Sequence, residues 1–222
     1  MTRALESAIA HRPPSIRQPG ISVRQVPLRP ATAESVRGYA RIVRDFAAAE
    51  VEIVPWPVAG RRPLDPGTGV GGGVTEGEFE FVRVGDFQYA ENHAVAGRYV
   101  TGWYGDPGTA SEGSPADDWS HVYVTEANYH PDGSQVFFPR DRTPFVALLA
   151  LPGDEIRPDD FVAFACDGSF GIDVLPNVWH QPVYPLCSPA VFDDKQGRVH
   201  GCVSLDFLRE FRTYLEVPLR AT

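Results

Sequence analysis

HVYVTEANYH, residues 121–130, decides how the chain is read. Alternate side chains of a strand point to the same face. One face here carries Val122, Val124, Glu126, Asn128 and His130; the other carries His121, Tyr123, Thr125, Ala127 and Tyr129. The first face begins apolar and ends in an acid, an amide and an imidazole. A strand running from the packed floor of a barrel to its mouth has this pattern. Burying those three groups without partners would cost on the order of several kcal/mol. They therefore satisfy one another, contact a metal or a ligand, or lie at a solvated strand end. A turn at Pro131-Asp132-Gly133 follows, and Gln135 and Phe137 then share one face of the next strand.

Outward from this stretch the chain reads as strand after strand. Segments 21–28, 78–83, 97–104, 134–138, 144–151, 160–166, 182–187 and 199–206 carry strand patterns, with turn signals such as Pro152-Gly153-Asp154 between them. The 21 glycines and 21 prolines suit a turn-rich β protein better than a helical one. Two helices are predicted. Residues 32–50 place Val36, Tyr39, Ala40, Val43, Phe46 and Ala47 at helical spacing, and 206–215 read as a short amphipathic helix. Residues 1–20 form an arm without a core pattern, and 21–222 form one domain.

Composition narrows the function classes. A net charge of −9 with no basic stripe argues against nucleic-acid binding. No run of 18 apolar residues and no apolar leader core is present, so no membrane partner is expected. Cys166, Cys187 and Cys202 are odd in number and lack a C-x-x-C pair, which points to free thiols and a cytoplasmic location. LDPGTGVGGG (64–73) is no phosphate-binding loop, because neither Gly-Lys-Ser/Thr nor a helix pattern follows it. GSFG (168–171) is no nucleophile elbow, and Cys166 on an apolar strand reads as a buried, inert thiol.

Two segments carry a resemblance. HPDGSQVFFP (130–139) and GIDVLPNVWHQPV (171–183) resemble the signature segments of the ureidoglycolate lyase family. The first matches through His130, Pro131, Ser134, Gln135, Phe137 and Pro139; the second through Asn177, Val178, Trp179, His180 and Pro182. Weaker similarity extends the likeness over about residues 22–206. The chain departs from the family pattern at Asn128, Val174 and Leu175, which bears on the substrate.

The resemblance implies a cupin-type β-barrel (jelly roll); with the helices read from periodicity, the fold expected is all-β with one N-terminal and one short C-terminal helix. It implies a lyase that splits ureidoglycolate into glyoxylate and urea. The catalytic residues expected are His130, His180 and Glu126; Arg98, Gln135, Asn128, Trp179 and Phe137 are expected to bind substrate, with Arg98 on its carboxylate. Seen as a degraded cupin metal box, His130, His180 and Gln135 could hold a divalent ion; no organic cofactor is expected. The partners expected are a small-molecule substrate and a second copy in a homodimer. Two alternatives stay open: a cupin enzyme acting on another small ureido or 2-hydroxy acid, and a non-catalytic cupin that binds a small anion.

Overall fold

The computed structural model describes residues 12–69, 72–113, 119–198 and 200–220. In chain order the strands are β1 (Ser22–Gln25), β2 (Leu28–Pro30), β3 (Ala40–Val43), β4 (Val74–Val84), β5 (Phe87–Asn92), β6 (Gly97–Trp103), β7 (His121–Val124), β8 (Glu126–Tyr129) and β9 (Gln135–Pro139). Then come β10 (Phe145–Ala150), β11 (Val162–Cys166), β12 (Gly171–Val174), β13 (Trp179–His180), β14 (Tyr184–Pro185), β15 (Ala190–Gly197), β16 (Val203–Asp206) and β17 (Thr213–Pro218). Among the described residues one α-helix, α1 (Phe207–Phe211), separates the last two strands. No helix among the described residues is long and apolar enough to cross a membrane.

The fold is all-β and cupin-like, built of two sheets. The larger orders its strands β1-β17-β7-β6-β5-β4-β15-β9-β12-β3; the smaller runs β16-β8-β13-β10-β11-β2, with β14 also on β10. Strand β10 (FVALLA) is buried on both faces, as its unbroken apolar run predicts. Phe145, Ala147 and Leu149 pack into one core with Phe79, Phe81, Phe137, Ile172 and Phe192. Val146, Leu148 and Ala150 pack into the other with Val122, Val124, Trp179, Leu205 and Leu215. The smaller sheet thus separates two cores, and strand parity decides which one a side chain enters.

The helix predicted over 32–50 does not form. Residues 33–39 make turns, with Val36 N–H donating to Thr32 O and Ala40 N–H to Val36 O, and Ala40–Val43 is a strand. Gly38, at φ +87, interrupts any helix midway. The β-branched pair Ile42-Val43 then completes an antiparallel ladder on β12. The helical spacing of Val36, Ala40 and Val43 is real, but a turn followed by a strand buries them equally well. The second predicted helix shortens to α1, capped at its start by the Asp206 carboxylate and at its end by Arg212 in the left-handed region. The rest of that pattern enters β17.

Part of the N-terminal arm, residues 1–11, lies outside the described residues. From Arg12 onward it lies against the barrel. Arg12 donates to Ala110 O, the Ser15 hydroxyl to the Asp106 carboxylate, and the Tyr214 hydroxyl to Pro14 O.

Candidate active site

A cavity of about 440 Å³ opens between the sheets. Its walls include Glu126, Asn128, His130, His180 and Gln181 from the smaller sheet and its connections. Opposite stand Asn92, Tyr99, Gln135 and Gln196 from the larger sheet, and Asp65, Arg198, His200 and Cys202 complete the lining.

The register explains who faces inward. His180 pairs with Leu149 on β10 and with Asn128 on β8, so all three share the inner face. Trp179, one residue earlier, pairs with Ala150 and points into the other core. The two signature segments are joined directly: Asn177, in the left-handed region at φ +65, donates its N–H to His130 O at 2.9 Å. Asn tolerates that conformation better than most residues with a Cβ.

The His130 and His180 rings lie 5.1 Å apart, edge to face. His130 Nδ1 is 2.9 Å from Gly201 O, and His180 Nδ1 is 2.8 Å from Val178 O. A carbonyl only accepts, so each Nδ1 carries the proton and each Nε2 keeps a lone pair. Burial holds both rings neutral. It drives His130 well below the ordinary histidine range, helped by His200 and His180, against the pull of Gly201 O. It lowers His180 to about 4, with the Val178 carbonyl opposing.

Glu126 stands at the mouth, on the same β8 face. Its side chain reaches solvent, yet the surrounding protein raises its pKa by partial desolvation. The cross-strand carboxylate of Asp206 and that of Asp65 add to the rise. Asn128 Oδ1 is buried with no hydrogen-bond partner, an acceptor left for whatever enters.

Three expected site residues lie elsewhere. Arg98 faces outward on β6, where it pairs with Glu91 at 3.1 Å and is about half exposed. Its neighbour Tyr99 takes the inward position, as parity requires. Trp179 is fully buried in the opposite core, its indole N–H donating to Gly153 O. Phe137 does share the face of Gln135, but it lies two residues deeper, against Phe79, and Phe79 meets the cavity instead.

Sequence reasoning also missed four residues. His200 stacks on His130 with centroids 4.2 Å apart and accepts the Gly197 N–H on Nε2. Asp132, which accepts the Gly201 N–H, lies 3.5 Å from His200 Nδ1. Arg198 is a cation at the cavity wall. Asp194 is a fully buried carboxylate behind the wall. Burial raises it to about 7, although Gln135 and Asn92 donate to it. His200, Arg198 and Asp194 stand in no recognisable motif, and Asp132 falls in the 130–139 segment at a position the resemblance does not use.

Residues 109–205 match the family model described as ureidoglycolate lyase. The match covers less than half of the chain and is a likeness of this segment to that family. It contains His130, Gln135, His180 and Arg198, and so most of the cavity wall. A ureidoglycolate lyase of Burkholderia cepacia is 35% identical over 83 residues, covering 36% of this chain and 47% of the relative. One of Azotobacter vinelandii is 37% identical over 75 residues, covering 33% of this chain and 45% of the relative. The chain thus spans about half the length of these relatives. Asn92 and Tyr99, also on the wall, lie outside the family match.

Proposed function

We propose that the chain is a carbon–nitrogen lyase that cleaves ureidoglycolate to glyoxylate and urea. The observation that carries this reading is the meeting of two neutral imidazoles, each with a free Nε2 lone pair, in one cavity with Glu126 and Arg198.

Ureidoglycolate bears a hydroxyl, a carboxylate and a urea nitrogen on one carbon. An imidazole Nε2 takes the hydroxyl proton, the oxygen's electrons form the glyoxylate carbonyl, and the C–N bond breaks. Its electron pair leaves on nitrogen, which takes a proton from the Glu126 carboxyl, whose raised pKa suits it to hold one. The proton on the imidazole then returns to Glu126 through solvent. Arg198 anchors the substrate carboxylate in place of Arg98.

The donor set does not fit a resident divalent ion. No group of three or more His, Cys, Asp or Glu side chains among the described residues is placed to hold one. Gln135, the third ligand that the sequence offered, would bring only a neutral amide oxygen, its nitrogen donating to Asp194 and Gln196. Chelation followed by dialysis should leave glyoxylate release unchanged.

We further propose that the protein works as a cytoplasmic homodimer. The unpaired thiols of Cys166, Cys187 and Cys202 suit a reducing compartment, and sedimentation velocity tests the dimer. The decisive experiment is a glyoxylate-release assay on ureidoglycolate with the native chain and with His130→Ala and His180→Ala. Each substitution should lower kcat by roughly 10²–10⁴-fold. Full activity in either variant would remove that imidazole from the mechanism, and an inactive native chain would end the lyase reading.

A further inference from the structure

The lyase reading leaves the cluster opposite the histidines without a role. Asn92, Gln135 and Gln196 are almost fully buried, yet all three line the cavity, and Asp194 lies behind them. Their hydrogen bonds fix which end of each amide faces which way.

A backbone N–H can only donate, and Ala94 N lies 2.9 Å from Asn92 Oδ1, so that atom is the acceptor. Asn92 Nδ2 therefore turns inward and donates to Asp194 Oδ2 at 3.2 Å and to Gln196 Oε1 at 3.1 Å. Gln135 Nε2 donates to Asp194 Oδ1 at 2.9 Å and to Gln196 Oε1 at 2.7 Å. Both N–H groups of Gln135 are thereby used, and both lone pairs of Gln196 Oε1 are filled. Two polar ends remain: Gln135 Oε1, which only accepts, and Gln196 Nε2, which only donates. No other hydrogen bond engages either atom among the described residues. Asp194 has no Lys or Arg partner there, so the two amides are its donors.

A ureido group presents the reverse pair, a carbonyl that accepts and an adjacent N–H that donates. We propose that Gln135 and Gln196 form a ureido-reading subsite, and that Asp194 is the positioning residue that sets the polarity of both amides. The inference rests on the lyase reading and deepens it. The substrate's carbonyl accepts from Gln196 Nε2, its N–H donates to Gln135 Oε1, and its carboxylate lies toward Arg198. A 2-hydroxy acid without nitrogen leaves both amide ends unpaired, which is the penalty by which a buried polar site rejects a ligand lacking the matching group.

Isothermal titration of the full chain with two probes tests this. N-carbamoylglycine keeps the ureido and carboxylate groups; glycolate keeps the hydroxyl and carboxylate. The native chain should bind N-carbamoylglycine more tightly. Gln196→Met, close in length but without the donor and without a new charge, should weaken N-carbamoylglycine binding by about 10-fold or more and leave glycolate within about 3-fold. Asp194→Asn touches no ligand but presents an N–H to one of the two amides, so it should reproduce that selective loss. Gln135→Leu provides a third variant should Asp194→Asn fail to fold. Equal losses for both probes, unchanged N-carbamoylglycine binding in Gln196→Met, or no N-carbamoylglycine binding by the native chain would overturn the subsite. A selective loss in a chain that releases no glyoxylate from ureidoglycolate would sink the lyase reading and leave the ureido subsite standing.

Discussion

The two walls of the cavity bury polar groups in opposite ways. On the smaller sheet, His130 and His180 each tie one nitrogen to a backbone carbonyl and leave the other unbound. On the larger sheet, Asn92, Gln135, Gln196 and Asp194 satisfy one another through side-chain bonds and leave only two polar ends. The first arrangement frees basic lone pairs, which suits proton transfer. The second fixes donors and acceptors without a mobile proton at the ligand, which suits recognition. On the proposed function one cavity divides its labour by sheet, because each sheet satisfies its buried groups with a different kind of partner.

The sharpest way to break that comparison is to remove an imidazole. His130→Ala or His180→Ala should cost roughly 10²–10⁴-fold in kcat, with a smaller change in KM, as expected for groups that act in the transition state. Steady-state glyoxylate release reads both constants. A loss confined to KM would assign the histidine wall to binding and erase the distinction.

The walls also respond to pH with opposite sign. His180 has a folded pKa of about 4, below the ordinary 6.5, so the unfolded chain takes up the proton first. The stability gained by keeping it neutral is fully present above about pH 6.5 and is lost as pH falls toward 4, about 3 kcal/mol in all. His130 shifts the same way. Asp194 has a folded pKa of about 7, above the ordinary 3.8, so the native state holds the proton longer. Its contribution is fully present below about pH 3.8 and is lost as pH rises through 7. Between pH 5 and 6.5 the two walls oppose each other. Asp194→Asn removes the falling component, so its stability should rise more steeply with pH than that of the native chain, by about 2 kcal/mol across that window. Urea denaturation at the two pH values measures the difference. Parallel profiles would mean that Asp194 titrates near its ordinary range.

How much of this division could be read from the sequence depends on strand parity and on depth. HVYVTEANYH shows its inward face only in its second half: the predicted single strand breaks at Thr125 into β7 of the larger sheet and β8 of the smaller, so Val122 and Val124 pack with Trp179 in the other core while Glu126, Asn128 and His130 line the cavity. The two histidine segments were legible from their motifs. The amide wall was not, because β15 (AVFDDKQG) alternates polar with polar: Asp193 and Lys195 differ little in kind from Asp194 and Gln196. Only the pairing of Gln196 with Gln135 shows which set faces inward. Arg98 failed by a single residue of parity, Trp179 likewise, and Phe137 failed by depth rather than by face. The helix predicted over 32–50 failed because Gly38 and the open edge of β12 outweigh a helical spacing that a turn and strand also satisfy.

Arg198 sharpens the comparison further, because it belongs to neither wall's hydrogen-bond scheme. If it anchors the substrate carboxylate, Arg198→Met should raise KM by about 10–100-fold and change kcat little, the range for losing a charge-assisted hydrogen bond. A fall in kcat with KM unchanged would instead place Arg198 beside the developing charge of the reaction.

The smallest effect belongs to Arg98, and it is informative because it is small. The side chain faces outward, about half exposed, and pairs with Glu91 across β5 and β6. Exposed ion pairs of this kind contribute about 0–1 kcal/mol to stability. Arg98→Ala should therefore leave KM and kcat within about 2-fold of the native values and shift the unfolding free energy by no more than that amount. Were Arg98→Ala to raise KM as strongly as Arg198→Met, β6 would have to present its other face to the cavity. Tyr99 would then point outward, and the parity that seats Asn92 beside Asp194 would fail with it, since both strands belong to the same ladder.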